Sequence, residues 1–146
     1  KIEQAGSNKA FGFCMKGSGQ TLYVCEAAID ALSVATLRKL GGRDWRKGSY
    51  LALGGVTASA EKLPPALERM LQSFSFNRVV LSQDNDAAGQ RAARNIFTLL
   101  RQRYPQIEPK VCVPQEKDFN DQLRLKLQQY AQPPPSRGTR ELTFTN

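Results

Sequence analysis

The 146-residue chain contains no histidine. That absence removes every Ser-His and Cys-His nucleophile system. Acid–base work must fall to carboxylates, lysine, tyrosine or metal-bound water. Cysteine is scarce as well: Cys14, Cys25 and Cys112 are far apart, odd in number and without CxxC spacing. With no histidine to complete a ligand set, this argues against both a zinc site and a disulfide framework. Cys25 and Cys112 lie in apolar runs and read as small core residues, which fits a reducing cytoplasm. No apolar run approaches the length of a membrane span, and no secretory signal is visible. Acidic residues are outnumbered 13 to 21 by Lys and Arg, for a net charge of +8. A basic domain suggests a polyanionic partner, nucleic acid first, with solubility as the competing explanation. The first residue is Lys1 rather than Met, so the sequence is expected to be part of a longer protein.

What is present is an alternation of short apolar runs and helical periodicities. Residues 1–20 are rich in Gly, Ser and Lys around one apolar patch, Ala10–Met15, and read as a strand or hairpin extension. Thr21–Cys25 is the first core strand. Ala28, Ile29, Leu32, Ala35, Thr36 and Leu40 then recur at helical spacing until Gly41-Gly42 stops the helix. Trp45 follows among Arg43, Arg46 and Lys47, placed either to stack on a base or to cover the core. A second strand, Tyr50–Leu53, ends in Gly54-Gly55. A helix over about 59–72 contains Pro64-Pro65, a break or the true N-terminus. Arg78–Leu81 is the third strand, 86–103 a long helix, and Lys110–Val113 the fourth strand. Asp118 opens the last helix, with Phe119, Leu123, Leu127 and Tyr130 on one face. Pro133-Pro134-Pro135 ends it, and Leu142–Thr145 could form an edge strand. The β-α-β-α-β-α-β-α order predicts an α/β fold with a four-stranded, mostly parallel sheet covered by helices on both faces. The expected division is an N-terminal extension (1–20), a catalytic domain (21–131), and a Pro-rich linker and tail (132–146).

The strand ends carry the chemistry. Glu26 ends the first strand, Gly54-Gly55 the second, and Asp84-Asn85-Asp86 the third; Lys117-Asp118 follows the fourth. In a parallel sheet these ends share one rim, where ligands bind. Asp84 and Asp86, two residues apart, can turn toward one point, and like charges held together call for a cation or a retained proton. Mg²⁺ (or Mn²⁺) is the expected cation, being hard and oxygen-seeking. Helix capping and turn formation are the plain alternative for both aspartates. Gly89, in the first turn of the following helix, lets the backbone approach a neighbour or ligand closely.

Glu26-Ala27-Ala28-Ile29-Asp30-Ala31-Leu32, Asp84-Asn85-Asp86-Ala87-Ala88-Gly89 and the segment Pro114–Leu123 resemble the motifs of Toprim domains, most closely the bacterial primase type. The resemblance covers roughly residues 20–130 and implies a Rossmann-like Toprim fold with metal-dependent phosphoryl transfer. By that resemblance Glu26 is the general acid or base and also a metal ligand. Asp84 and Asp86 hold Mg²⁺, and Asp118 is an outer ligand. Asp30, one turn into its helix, would be a supporting partner; a solvated or capping acid is the competing reading. Ala27 stands where many members have Gly, and Asn85 where Gly is often found between the aspartates. The implied context is a primase-like protein of plasmids or mobile elements acting on DNA or RNA with nucleotides, with zinc-binding or helicase modules elsewhere in a longer parent.

Arg91, Arg94 and Lys117 are the candidate phosphate contacts, against the ordinary fate of a solvated charge. Three functions remain open: nucleotidyl transfer as in primer synthesis, an OLD-like nuclease, and a nucleic-acid-binding module without turnover. A haloacid-dehalogenase phosphatase would place its Asp-x-Asp after the first core strand, and a receiver domain would place its acid pair early. Neither order fits.

Overall fold

A computed structural model describes residues 8–55 and 59–131. Five strands form one sheet: β1 (Cys14–Met15), β2 (Thr21–Cys25), β3 (Gly48–Ala52), β4 (Arg78–Ser82) and β5 (Glu108–Val111). Four helices connect them: α1 (Ala28–Leu40), α2 (Pro65–Ser73), α3 (Ala87–Arg103) and α4 (Phe119–Ala131). The spatial order is β1-β3-β2-β4-β5. All pairings are parallel except β1 with β3. The fifth strand is thus the N-terminal extension itself, running antiparallel along the edge of β3.

Alternation along the strands makes two cores. Leu22, Val24, Leu51, Val79 and Leu81 face α2 and α3, where they meet Leu67, Ile96 and Leu100. On the other face Cys25 and Tyr50 meet Ala31, Val34 and Ala35 of α1 and Phe119 of α4. Burying each large aliphatic side chain contributes about 1.5–3 kcal/mol, which is why a strand of five residues needs both faces covered. Trp45 packs against the second core, with the Arg46 guanidinium 5.3 Å from its ring centroid.

Several expected boundaries move. Pro65 is the first residue of α2, so the proline pair marks a true N-terminus, where the missing N–H costs nothing. The second core strand begins at Gly48, two residues early, and the fourth spans 108–111 rather than 110–113. Cys112 therefore lies beyond the ladder and is exposed, not a core residue, whereas Cys25 is fully buried. On α4 only Phe119 is buried; Leu127 and Tyr130 are exposed, so the expected apolar face is covered only at its N-terminal end. Leu142–Thr145 lies outside the described residues. No described helix is long and apolar enough to cross a membrane.

Candidate metal and phosphoryl-transfer site

Register fixes the site. Cys25 of β2 pairs with Ser82 of β4 and with Ala52 of β3. Glu26 is thus one residue past β2, and Asp84 two past the neighbouring β4, on the same rim. The Glu26 carbonyl accepts the Gly54 N–H at 3.0 Å, which ties the end of β3 to that rim. Gly54 and Gly55 have φ of 76° and 131°, a backbone that side chains rarely adopt.

Asp84 sits at the centre. Burial, then the charges of Glu26, Asp30 and Asp118, then a hydrogen bond shared with Glu26, push its carboxyl up to about 7. Asp84 therefore feels three other acids from two further segments, Glu26–Asp30 and Asp118, an arrangement in which a proton or a cation is held. The Oδ1 atom of Asp84 is buried without a hydrogen-bond partner. Cys25 lies beneath; burial, followed by Asp30 and Asp84, raises its thiol strongly, so it is inert.

The other expected residues divide by role. Asp86 caps α3, its Oδ1 accepting the Gly89 N–H at 2.7 Å. Asp118 does the same for the first turn of α4, accepting from Asp121 N at 2.7 Å. Against the expectation that Asp84 and Asp86 turn to one point, one Asp86 oxygen is instead turned to its own helix. Asp30 is only 4% exposed and accepts the Asn120 N–H at 3.3 Å, so it is neither solvated nor a simple cap. Asn85 joins the two motif loops: its N–H donates to Lys117 O at 2.8 Å and its Nδ2 to Pro114 O at 3.3 Å. Arg94 lines an open cleft of about 300 Å³ beside Asp84, with Gln90 and Val111–Val113. Arg91 and Lys117 are exposed, and neither lines that cleft.

One further residue at the rim carries no signal in the sequence. Gln83, 3% exposed, donates its Nε2 to Val24 O at 2.8 Å and so clamps β4 to β2 directly behind Asp84. An uncharged residue inside the β4-to-loop transition gives no sequence signal that would separate it from a turn former.

Among the described residues, no three His, Cys, Asp or Glu side chains are gathered closely enough to enclose an ion. The donor chemistry nevertheless suits Mg²⁺, which takes one or two carboxylates and completes its shell with water and substrate phosphates. Glu26 and Asp84, with the unpartnered Oδ1, are such a pair.

A family model described as Toprim-like matches residues 23–123, well over half of the chain. The protein belongs to the Toprim-like family, whose domains process nucleic acids and typically bind divalent metal ions such as Mg²⁺. Comparison with curated proteins gave no match.

Proposed function

We infer that this chain carries a divalent-metal-dependent phosphoryl-transfer site acting on nucleic acid, with nucleotidyl transfer of the primase kind as its reaction. The observation that carries the reading is that Glu26 and Asp84 leave adjacent parallel strands on one rim, with the Asp84 Oδ1 buried and unpartnered and its carboxyl raised by burial and by Glu26, Asp30 and Asp118. A site that concentrates negative charge inside a basic protein is costly unless a cation is its working partner.

In this reading Glu26 and Asp84 hold Mg²⁺ or Mn²⁺, with Asp86 and Asp118 contributing through whichever oxygen is not capping a helix. The bound ion would neutralise charge on the reacting phosphate. Glu26 accepts the proton of the attacking hydroxyl. Its place on the rim beside Asp84, to which it is hydrogen-bonded, supports that role by geometry. Asp30 positions α4, and through it Asp118. Arg94, in the cleft beside Asp84, is the best-supported phosphate contact; Arg91 and Lys117, both exposed, are the further candidates. A longer parent protein supplying zinc-binding or helicase modules, a plasmid or mobile-element origin, a cytoplasmic setting and the division at residues 20 and 131 belong to the same proposal.

The test is a gel assay. A labelled single strand is incubated with the protein, ribonucleotides and Mg²⁺ or Mn²⁺. Extended or newly made strands support nucleotidyl transfer, and shortened strands support the nuclease reading. In either case Glu26→Gln and Asp84→Asn should remove the products. Products that survive both substitutions would overturn the assignment of this rim, and binding without any product would leave a nucleic-acid-binding module.

A further inference from the structure

The edge formed by β1 and α2 carries aromatic rings and cations together. Phe11 is 66% exposed, although the Arg69 guanidinium lies 3.8 Å from its ring centroid. Phe74, just past α2, is also exposed, and Lys16 Nζ lies 5.3 Å from its centroid. Phe13 is a third exposed ring on the same short segment. Between Phe11 and Phe74 runs a groove of about 280 Å³ with Cys14 and Met70 in its lining.

This surface is held in place by local chemistry. Asn8 makes a turn in which its Oδ1 accepts from Ala10 N and its carbonyl accepts from Phe11 N, both at 3.0 Å. Gly12 then passes so close to β3 that a Cβ would lie 2.3 Å from Ala52 O. A side chain there would clash with backbone, and the flanking Phe11 and Phe13 are both exposed. Exposed phenyl rings cost free energy in water unless something covers them. A protein of net charge +8 that pairs each groove ring with a cation is complementary to a polyanion with flat apolar faces.

We propose that the β1–α2 groove is a binding track for single-stranded nucleic acid, with bases stacking on Phe11 and Phe74 and phosphates meeting Arg69 and Lys16. Stacking on aromatic side chains tolerates any base, and arginine adds its own planar face. Phe11 and Lys16 precede the segment matched to the family, so the track lies partly outside it. Its direction is informative. The Phe13 carbonyl accepts from Ala52 N at 2.8 Å, at the carboxyl end of β3. The Phe11–Phe13 end of the groove thus opens on the rim that carries Glu26, two strand spacings or about 10 Å away laterally. Delivery of a strand to that rim rests on the function proposed above; binding in the groove does not.

The experiment is fluorescence anisotropy of a labelled oligothymidylate with the 146-residue chain in EDTA, where no turnover contributes. Phe11→Ala and Phe74→Ala should each weaken binding about tenfold. Phe11→Trp should bind at least as tightly as wild type, and an abasic strand of equal length should bind wild type weakly. Arg69→Gln with Lys16→Gln should lower the slope of log K against log salt by roughly one to two units. Arg101→Gln, an exposed cation in the last turn of α3, should bind like wild type, which separates the track from general surface charge. Unchanged affinity in both Phe→Ala variants, or equal affinity for a duplex and a single strand, would overturn the proposal.

Discussion

The α-carbon of Gly89 is packed against the backbone of Asp84: a methyl group built there would lie 2.3 Å from the Asp84 carbonyl oxygen and 3.0 Å from its nitrogen. The close approach is internal to the motif. Helix α3 starts by folding back onto the residue that holds the central carboxylate.

Gly89→Ala is therefore expected to destabilise the fold by about 1–3 kcal/mol, because the obstructing atoms are backbone and cannot rotate away. The substitution would ordinarily favour a helix, so a loss measured by urea denaturation isolates the contact with Asp84. An unchanged or raised midpoint would show that the strand end yields freely.

Stability should fall as pH rises. Asp84 ordinarily titrates near 3.8 and is raised to about 7 in the fold. Between those values the folded chain binds the extra proton, so the stabilisation is complete below about 4 and lost as pH passes 7. The side chain is only partly buried, so the effect is discounted for solvent screening to roughly 1–2 kcal/mol. Asp84→Asn should flatten this part of the metal-free stability profile and melt above wild type at pH 8. A wild-type profile that is flat or rising between pH 5 and 8, with Asp84→Asn parallel to it, contradicts the assignment.

Mg²⁺ or Mn²⁺ should stabilise the wild-type fold by roughly 2–3 kcal/mol at a hundredfold excess over Kd. Asp84→Asn should lose most of that gain. Asp86→Asn is informative in a different way, because Asn remains a good cap and can still accept from Gly89 N. Its metal-free melt should stay close to wild type, while its metal-induced gain shrinks if the second Asp86 oxygen is a ligand. Asp86→Ala adds the lost cap, about 1 kcal/mol. Melts of wild type that ignore both ions at millimolar concentration would remove the metal from the account.

Asp30→Ala should destabilise by about 1–3 kcal/mol, because the Asn120 N–H loses its acceptor where α4 docks on α1. Hydrogen exchange gives the local reading: the Asn120 amide should exchange faster, while Asp30→Asn, which keeps an acceptor oxygen, should restore protection. Equal exchange in all three proteins would make Asp30 a bystander.

The rim was legible because its signals are local. Glu26 and Asp84 each follow a run of β-branched and apolar residues, and a parallel sheet sends such ends to one side. The edge was harder to read. Glu108-Pro109 looks unlike a strand, yet proline is tolerated on an edge, and Val111-Cys112-Val113 looks like a strand while lying mostly beyond the ladder. Cap or ligand could not be decided for Asp86 from type and position, since one carboxylate suits both. The burial of Asp30 depends on α4, about ninety residues away along the chain, and the seat of Phe11 depends on Arg69. Such pairings have no periodicity to betray them.

The two borders of the sheet are protected by unlike means. At β5 the protection is chemical: Pro109 withholds a donor, and Glu108 is flanked by Arg78 at 2.8 Å and Lys110 at 3.2 Å. At β3 the protection is the two-residue strand Cys14–Met15. Every residue of β3 is buried, and it bears no charged side chain to discourage a second copy. A fragment begun at residue 21 would uncover that ladder, and light scattering should show it self-associating through the bared border while the longer chain stays dispersed.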